Sequence, residues 1–249
     1  MASSTLRYPA MLAYRWATEV VTLLAPACER IEIVGSLRRC YRHEVDPMKP
    51  LDRRRNTMPA SGPGTFGVSD IEILAEPKWE IPVTRTKSLF PDTDKPEARD
   101  QLGDLVTTLV SRPDSQLTWD SALMRRGPKY KRLAWRGAKY LTGGAAPAIP
   151  IDLFIVTPPA SWGCLQAIRT GPAEFSRLLV TSRAKGGALP NHLVAVSGAL
   201  KNKDGWLQPA TEAEYFAAVG LPCWPPAERS AEKLRDWLRR NDSAGEEPQ

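Results

Sequence analysis

One alternating segment constrains the fold more than any other part of this chain: "VSDIEILAEP", at positions 68–77. Its two acids, Asp70 and Glu72, alternate with Ile71 and Ile73, which is the period of a β-strand. Such a strand would direct both isoleucines into a core and both carboxylates to the opposite face. That acidic face is either an ordinary solvated surface or the position of a positively charged group.

Length and composition are those of an ordinary globular protein. The chain has 249 residues, which is enough for one large domain or two small ones. No apolar run approaches the roughly 20 residues that span a bilayer, and the N-terminal stretch lacks the basic and apolar regions of a secretory signal. The four cysteines form no Cys-x-x-Cys pair, which fits a reducing compartment. We therefore expect a non-secreted protein without a membrane partner, in the cytoplasm or nucleoid, or a viral protein inside its host cell.

Positive charge is concentrated in two segments. The net charge is +6, which is compatible with a nucleic acid partner and equally with simple solubility. A stretch rich in proline and charge at 40–68 contains the run Arg53-Arg54-Arg55 and is predicted to be a basic surface loop. The segment "KYKRLAWRG", at 129–137, alternates like a strand whose outer face is basic.

The remaining pattern predicts a mixture of helices and strands. Apolar residues at helical spacing, or a Thr-x-x-Glu capping box, predict helices at 9–28, 101–111, 172–185 and 211–220, and a short one within 227–249. Short apolar runs predict strands at 31–34 and 148–159, and Asp204-Gly205 predicts a hairpin turn.

A third isolated carboxylate changes the interpretation of the first two. Asp152 lies between Ile151 and Leu153, with no lysine or arginine within three residues on either side. An unpaired buried carboxylate is costly, so Asp152 needs a partner from elsewhere in the chain. A divalent cation would satisfy all three acids, because Mg²⁺ takes hard oxygen ligands and shares its coordination shell with substrate phosphates.

A Gly-Ser turn is the candidate site for those phosphates. Gly35 and Ser36 follow the strand at 31–34 and open a predicted helix, where backbone N–H groups and a hydroxyl can bind an anion. Arg39, with Arg38 as a further candidate, would add charge-assisted hydrogen bonds. Two ions about 4 Å apart beside such a site can activate an attacking hydroxyl and neutralise a leaving pyrophosphate.

Several motifs, in the same order, resemble those of the DNA polymerase X family, the polymerase-beta type of nucleotidyltransferase. The palm of that family is similar to "GSLRR", "SDIEIL" and "IDLFIV", and the opening of its thumb to "IRTGPAEFSRLLVTSRAKGGALPNHLV". Its C-terminal end is similar to "TEAEYFAAVGLPCWPPAERS". The resemblance implies an α+β fold. It places a palm at 1–160, built as a mixed β-sheet with helices on one face, a small α+β thumb at 161–232, and a helix end with a flexible tail at 233–249.

The resemblance also implies roles for individual residues. Asp70, Glu72 and Asp152 would be the catalytic acids and would hold two Mg²⁺ ions, with Mn²⁺ as an alternative. Asp152 would help to deprotonate the primer 3′-hydroxyl. The residues implied for nucleotide binding are Gly35, Ser36, Arg39, Thr170, Gly171 and Arg177. The candidates for DNA contacts, which need only positive charge, are Arg53, Arg54, Arg55, Lys129, Lys131 and Arg132.

Some positions depart from the family pattern. Glu72 stands where the family commonly has aspartate, which leaves the choice between Mg²⁺ and Mn²⁺ open. Ile168-Arg169 stands where the family's polymerases usually have an aromatic pair against the sugar, which leaves sugar selection open. Ser176 replaces a larger amide, and Pro150 replaces a residue that is often basic. The family's lyase module and helix-hairpin-helix clamp have no counterpart in these motifs.

We therefore expect a minimal family X DNA polymerase with palm and thumb only. It would use nucleoside triphosphates to extend a primer 3′-hydroxyl, acting as a monomer on primer–template or gapped DNA in short-gap repair. Two alternatives stay open at this point. One is a template-independent, RNA-directed or protein-directed nucleotidyltransferase on the same scaffold, and the other is a catalytically inactive nucleic-acid-binding module.

Overall fold

The structure is a computed structural model and describes residues 7–40, 67–80, 98–121, 125–137 and 148–242. Most of the predicted basic loop at 40–68 lies outside these residues. The described helices are α1 Ala10–Leu24, α2 Gly35–Cys40, α3 Gln101–Val110, α4 Trp162–Thr170, α5 Ala173–Val180, α6 Glu212–Ala218 and α7 Ala231–Asp242. The described strands are β1 Tyr8–Pro9, β2 Cys28–Val34, β3 Gly67–Val68, β4 Ile71–Pro77, β5 Trp79–Glu80, β6 Arg99–Asp100, β7 Leu117–Trp119, β8 Tyr130–Trp135, β9 Ile149–Ile155, β10 Val194–Val196, β11 Ala199–Asn202 and β12 Gly205–Leu207.

Five strands form the central sheet, in the order β2-β4-β9-β8-β7. β4 and β9 are parallel and the other neighbours are antiparallel, so the sheet is mixed. Smaller sheets pair β1 with β3 and β5 with β6, and a three-stranded sheet joins β10, β11 and β12. The fold is therefore α+β, as the sequence predicted.

One face of the central sheet is covered by α1 and α3. Their buried apolar residues join Ile71 and Ile73 of β4 and Ile151 and Leu153 of β9 in one cluster, and these four side chains are fully buried. This is the core that the alternation in "VSDIEILAEP" predicted for its isoleucines, because successive side chains of a strand point to opposite faces.

The first helix is shorter than the sequence predicted. It ends at Leu24 rather than at residue 28, and a 3₁₀ turn at Ala25–Ala27 follows. Pro26 lies in this turn, and proline cannot continue a helix because it lacks the N–H donor and its ring clashes with the preceding turn. β2 therefore begins at Cys28, before the strand start predicted at residue 31.

A second apolar core is formed by the C-terminal part of the chain. Phe175, Tyr215 and Phe216 are fully buried within it. It includes Cys164 and Ala167 from α4, a helix that the sequence analysis did not predict. The helix predicted at 172–185 is limited to α5. The division of the chain near residue 160 stays a prediction.

The short helix predicted within 227–249 is present as α7. Leu234 and Leu238 of α7 are buried in the second core, so this helix is a packed element that continues to Asp242. The helix end and flexible tail expected at 233–249 stay a prediction, because residues 243–249 lie outside the described part.

Two local predictions in this half are confirmed. β11 and β12 form the antiparallel hairpin around Asp204-Gly205. Thr211 caps α6, since its hydroxyl oxygen accepts a hydrogen bond from the Glu214 backbone N–H at 3.2 Å. None of the helices in the described ranges is long and apolar enough to cross a membrane.

Candidate active site

The parallel pairing of β4 and β9 brings two of the predicted acids together. Glu72 and Asp152 are register partners across the two strands and lie on the face opposite the buried isoleucines. Asp70 lies immediately before β4, so it leads into the strand rather than forming part of it. All three carboxylates therefore meet at one side of the sheet, although Asp152 is 80 residues away from Glu72 in the sequence (152 minus 72).

The electrostatics of the cluster show that the three acids interact. Burial, and then the charges of Asp70 and Asp152, raise the pKa of Glu72 to about 7. Burial and the charge of Asp152 also raise the pKa of Asp70. Neighbouring carboxylates disfavour each other's ionisation. The cluster is consequently a site that gains from a bound cation.

Replacing Glu72 by glutamine is expected to flatten the pH dependence of stability. The pKa of Glu72 is 4.5 as a reference and about 7 in the folded protein, so between these values only the folded state holds this proton. The resulting stabilisation is complete below pH of about 4.5 and is lost as the pH rises towards about 7. Thermal unfolding of the metal-free protein should show a smaller fall in Tm across this range for Glu72→Gln than for the wild type.

Glu76→Gln is the matched control for that measurement. Glu76 lies on the same strand but outside the acid cluster, so its variant should keep the wild-type pH dependence. An unchanged slope in Glu72→Gln would contradict the coupling between the three acids.

Asp152 has partners that the sequence alone could not reveal. Its Oδ1 atom accepts hydrogen bonds from the Tyr130 hydroxyl, at 2.5 Å, and from Arg132 Nη1. Arg132 and Asp152 are register partners between β8 and β9. Arg132 also binds Asp120 at 3.1 Å. The basic partner missing along the chain is thus supplied by the neighbouring strand.

The absence of a side chain at Gly35 allows the Glu72 carboxylate to pack closely against the backbone. The Gly35 φ of +68° lies in the left-handed region, which side chains rarely adopt. A Cβ atom at this position would lie 2.5 Å from Cδ of Glu72. Any larger residue here would displace Glu72 from the acid cluster.

The two arginines after the Gly-Ser turn make contacts with the C-terminal half. Arg39 Nη1 donates to the backbone oxygens of Thr170, at 2.8 Å, and Gly171, at 3.1 Å. Arg38 forms an ion pair with Glu212 at 2.9 Å and donates to the Thr170 hydroxyl at 2.7 Å. Arg38, the further phosphate candidate, is therefore committed to an internal ion pair, whereas Arg39 uses one of its nitrogens as an anchor.

A cleft of about 650 Å³ joins the acids to the C-terminal half. Predicted site residues in its wall are Ser36, Arg39, Asp70, Glu72, Gly171 and Arg177. The other lining residues are Arg7, Gly67, Val68, Ser69, Ile168, Arg169, Ala173, Ser176 and Val180. Gly35, Asp152 and Thr170 are not part of this wall, and Thr170 is fully buried beneath it.

Arg169 and Tyr130 are site residues that the sequence analysis did not assign. The Arg169 guanidinium carbon lies 3.8 Å from the centre of the Phe154 ring, in a cation–π contact. Its positive charge offsets part of the rise in the pKa of Glu72, so the two groups interact. The sequence signal for Arg169 was its position before Thr170-Gly171, but nothing in the sequence indicated which way its side chain points.

The candidates for DNA contacts have different surroundings. Lys129 is exposed. Lys131 is only 8% exposed and shares the core face of β8 with Leu133 and Trp135, and Arg132 is bonded to acids. The expectation of a basic outer face on this strand was wrong for Lys131, which the alternation places inside, and holds for Arg132 on the opposite face. Arg53, Arg54 and Arg55 lie outside the described residues.

The donor types in the cluster suit a hard divalent cation. Carboxylate oxygens from Asp70, Glu72 and Asp152 are the ligands that Mg²⁺ and Mn²⁺ take. Their mutual repulsion is the feature that such an ion relieves. Within the described residues, no three His, Cys, Asp or Glu side chains have their donors already arranged as a metal site. The residues therefore fit the ion by chemistry and coupling rather than by a formed coordination shell.

Neither family models nor curated proteins provide a relative of this chain. No model of a protein family matches this chain. A search among curated proteins also finds no match.

Proposed function

We propose that this protein is a nucleotidyltransferase that extends a primer 3′-hydroxyl from nucleoside triphosphates, as a minimal DNA polymerase of the X type. The observation that carries the proposal is the cleft, because two acids and four arginines line the same cavity. A nucleotidyl transfer site needs both charges, because cations must sit at the acids while a polyphosphate lies beside them. The mixed sheet with its parallel β4–β9 pair would be the palm of that fold, and the C-terminal half its thumb.

The acids would hold two Mg²⁺ ions, with Mn²⁺ as the alternative. Asp70, Glu72 and Asp152 are the residues that would bind them. Bound there, such ions lower the pKa of an attacking hydroxyl and neutralise charge on the leaving pyrophosphate. Tyr130 and Arg132 orient the Asp152 carboxylate through Oδ1, which leaves its other oxygen for the ion.

The remaining cleft residues bind and position the nucleotide. The Ser36 hydroxyl and the Arg39 guanidinium would contact phosphates, and Arg177 and Gly171 would border the rest of the nucleotide. Arg39 donates hydrogen bonds to the Thr170 and Gly171 carbonyls. These bonds would connect the phosphate-binding residues of α2 to the thumb. Positioning of this kind, with electrostatic stabilisation, accounts for most of the catalysis in phosphoryl-type transfers.

The test is a primer-extension series with the full chain. The protein is incubated with Mg²⁺ or Mn²⁺, a one-nucleotide-gapped duplex, and each dNTP or NTP singly. Insertion of the template-matched deoxynucleotide is the expected result. Extension of a single strand without a template, or extension of an RNA or protein acceptor instead, would replace this proposal with the alternative transferase on the same scaffold. DNA binding without any extension would indicate an inactive nucleic-acid-binding module.

A further inference from the structure

The arginines that line the cleft differ in whether their donors are already in use. Arg39 donates to two backbone oxygens, and Arg7 donates to the Gly67 oxygen at 3.3 Å. Arg177 lies 3.9 Å from the Glu174 carboxylate. Within the described part of the chain, Arg169 donates no hydrogen bond, and its direct contact is with the Phe154 ring. Arg177 also donates no hydrogen bond within the described residues, and of these two arginines Arg169 is the one held by a cation–π contact.

Phe154 holds the Arg169 guanidinium in a defined orientation. Its ring is only 9% exposed and packs with Val34, Leu74 and Trp162. It also stacks on Tyr130, with the ring centres 5.3 Å apart. A cation–π contact uses the flat face of the guanidinium, whereas the N–H donors lie in its plane. The buried ring therefore holds the flat face of the guanidinium and leaves its N–H donors free to bind an anion.

The charge balance of the cleft favours an anion next to Arg169. Its wall contains four arginines and two acids, Asp70 and Glu72. Arg169 lines the cleft and interacts with the charges of Glu72 and Asp152, so it lies near the acid cluster. A phosphate group bound at this point would touch a guanidinium on one side and lie within reach of cations held by the acids on the other.

We propose that Arg169 is a phosphate-binding residue of this cleft and holds a triphosphate by a bidentate contact before any divalent ion is bound. A planar guanidinium fork matches two phosphate oxygens, and prior orientation reduces the entropic cost of that contact. The inference rests on the proposed function, since nucleotidyl transfer is the reaction that brings a triphosphate to this cleft. The first contact of the triphosphate would then be made by Arg169 of α4 rather than by the Gly-Ser turn.

The test measures binding of inorganic triphosphate to the full chain in the presence of EDTA, by isothermal titration calorimetry. Arg169→Gln is expected to weaken binding about 10- to 100-fold, the usual loss for a charge-assisted hydrogen-bonded pair. Arg169→Lys keeps the charge but not the fork, so it should show an intermediate loss. Arg112→Gln is the matched control, because Arg112 is exposed after α3 and outside the cleft wall; it should bind as the wild type does.

Two results would overturn the inference. One is the absence of metal-free triphosphate binding by the wild type. The other is unchanged binding by Arg169→Gln with wild-type far-UV circular dichroism and Tm, which would make Arg169 an internal counter-ion of Glu72. If Arg169→Gln does not fold, Arg169→Lys gives the same decision. Because the titration needs no turnover, a protein that binds triphosphate through Arg169 but never extends a primer contradicts the proposed function alone.

Discussion

Asp152→Asn is expected to reduce single-nucleotide insertion on a gapped duplex by about 10³-fold or more. The substitution keeps the size of the side chain but removes the charge that Asp152 contributes to the acid cluster. Loss of about 4 kcal/mol of electrostatic stabilisation of the transition state corresponds to this factor. The measurement is the single-turnover insertion rate in saturating Mg²⁺ and nucleotide.

Asp120→Asn separates the role of the charge from the role of the arginine. Both Asp120 and Asp152 bind Arg132, but only Asp152 interacts with Asp70 and Glu72. We expect the rate of Asp120→Asn to stay far closer to wild type. Normal insertion by Asp152→Asn would refute its assignment as a metal ligand, and equal losses in both variants would show that Arg132, rather than the acid cluster, is being disturbed.

Glu212→Ala is expected to destabilise the fold by about 3–5 kcal/mol, the range for removing one partner of a buried ion pair. Glu212 accepts hydrogen bonds from Arg38, at 2.9 and 3.0 Å, and from Arg229 Nη1, at 2.6 Å. The Arg229 side chain is fully buried. Removal of Glu212 would therefore leave a buried cation without its counter-charge. Urea unfolding followed by circular dichroism measures the difference.

Glu228→Ala is the control for that measurement. Glu228 forms an ion pair with Lys233 at 2.8 Å, in which both side chains are largely exposed. Exposed pairs are worth about 0–1 kcal/mol, so this variant should be close to wild type. Equal stabilities for the two variants would contradict the view that the Glu212 pair is buried and structural.

The pKa of Glu212 predicts how the stability of the protein changes in acid. Burial alone would raise the pKa of Glu212, but hydrogen bonds from Arg229 and Arg38 outweigh this and lower the pKa below 4.5. Its stabilisation is therefore present above about pH 4.5 and is lost as the pH falls through the folded-state pKa. Glu212→Ala should lose this acid-induced step. The opposite sign is expected for Glu72, so the two carboxylates can be distinguished in one set of pH titrations.

The ion pairs of Glu212 also have a consequence for the cleft. Arg38 belongs to α2, which begins with the Gly35-Ser36 turn, whereas Glu212 belongs to α6 and Arg229 is a buried residue that follows α6 in the chain. The helix that carries the candidate phosphate-binding turn is thus joined to the C-terminal half by a buried ion pair.

The sequence predicted the local features that have a short-range cause. The strand period of Ile71 and Ile73 predicted which side chains enter the core, and the capping box at Thr211 predicted where α6 begins. Both signals arise from neighbours a few residues apart. The sequence did not predict features that depend on distant partners. The helix α4 is short and buried on more than one side, so its apolar periodicity is weak. The environment of Lys131 is set by β7 and β9, the neighbouring strands of β8.

The acids of "VSDIEILAEP" illustrate the same division. Their alternation established that two carboxylates leave the core together, and the isolated Asp152 indicated that a third acid needs a partner. The register between β4 and β9, which pairs Glu72 with Asp152, and the placement of Arg132 and Arg169 beside them come from hydrogen bonds and packing between distant segments. Long-range pairing of this kind is specified by the whole folded chain, because each strand's neighbours depend on cores that form together.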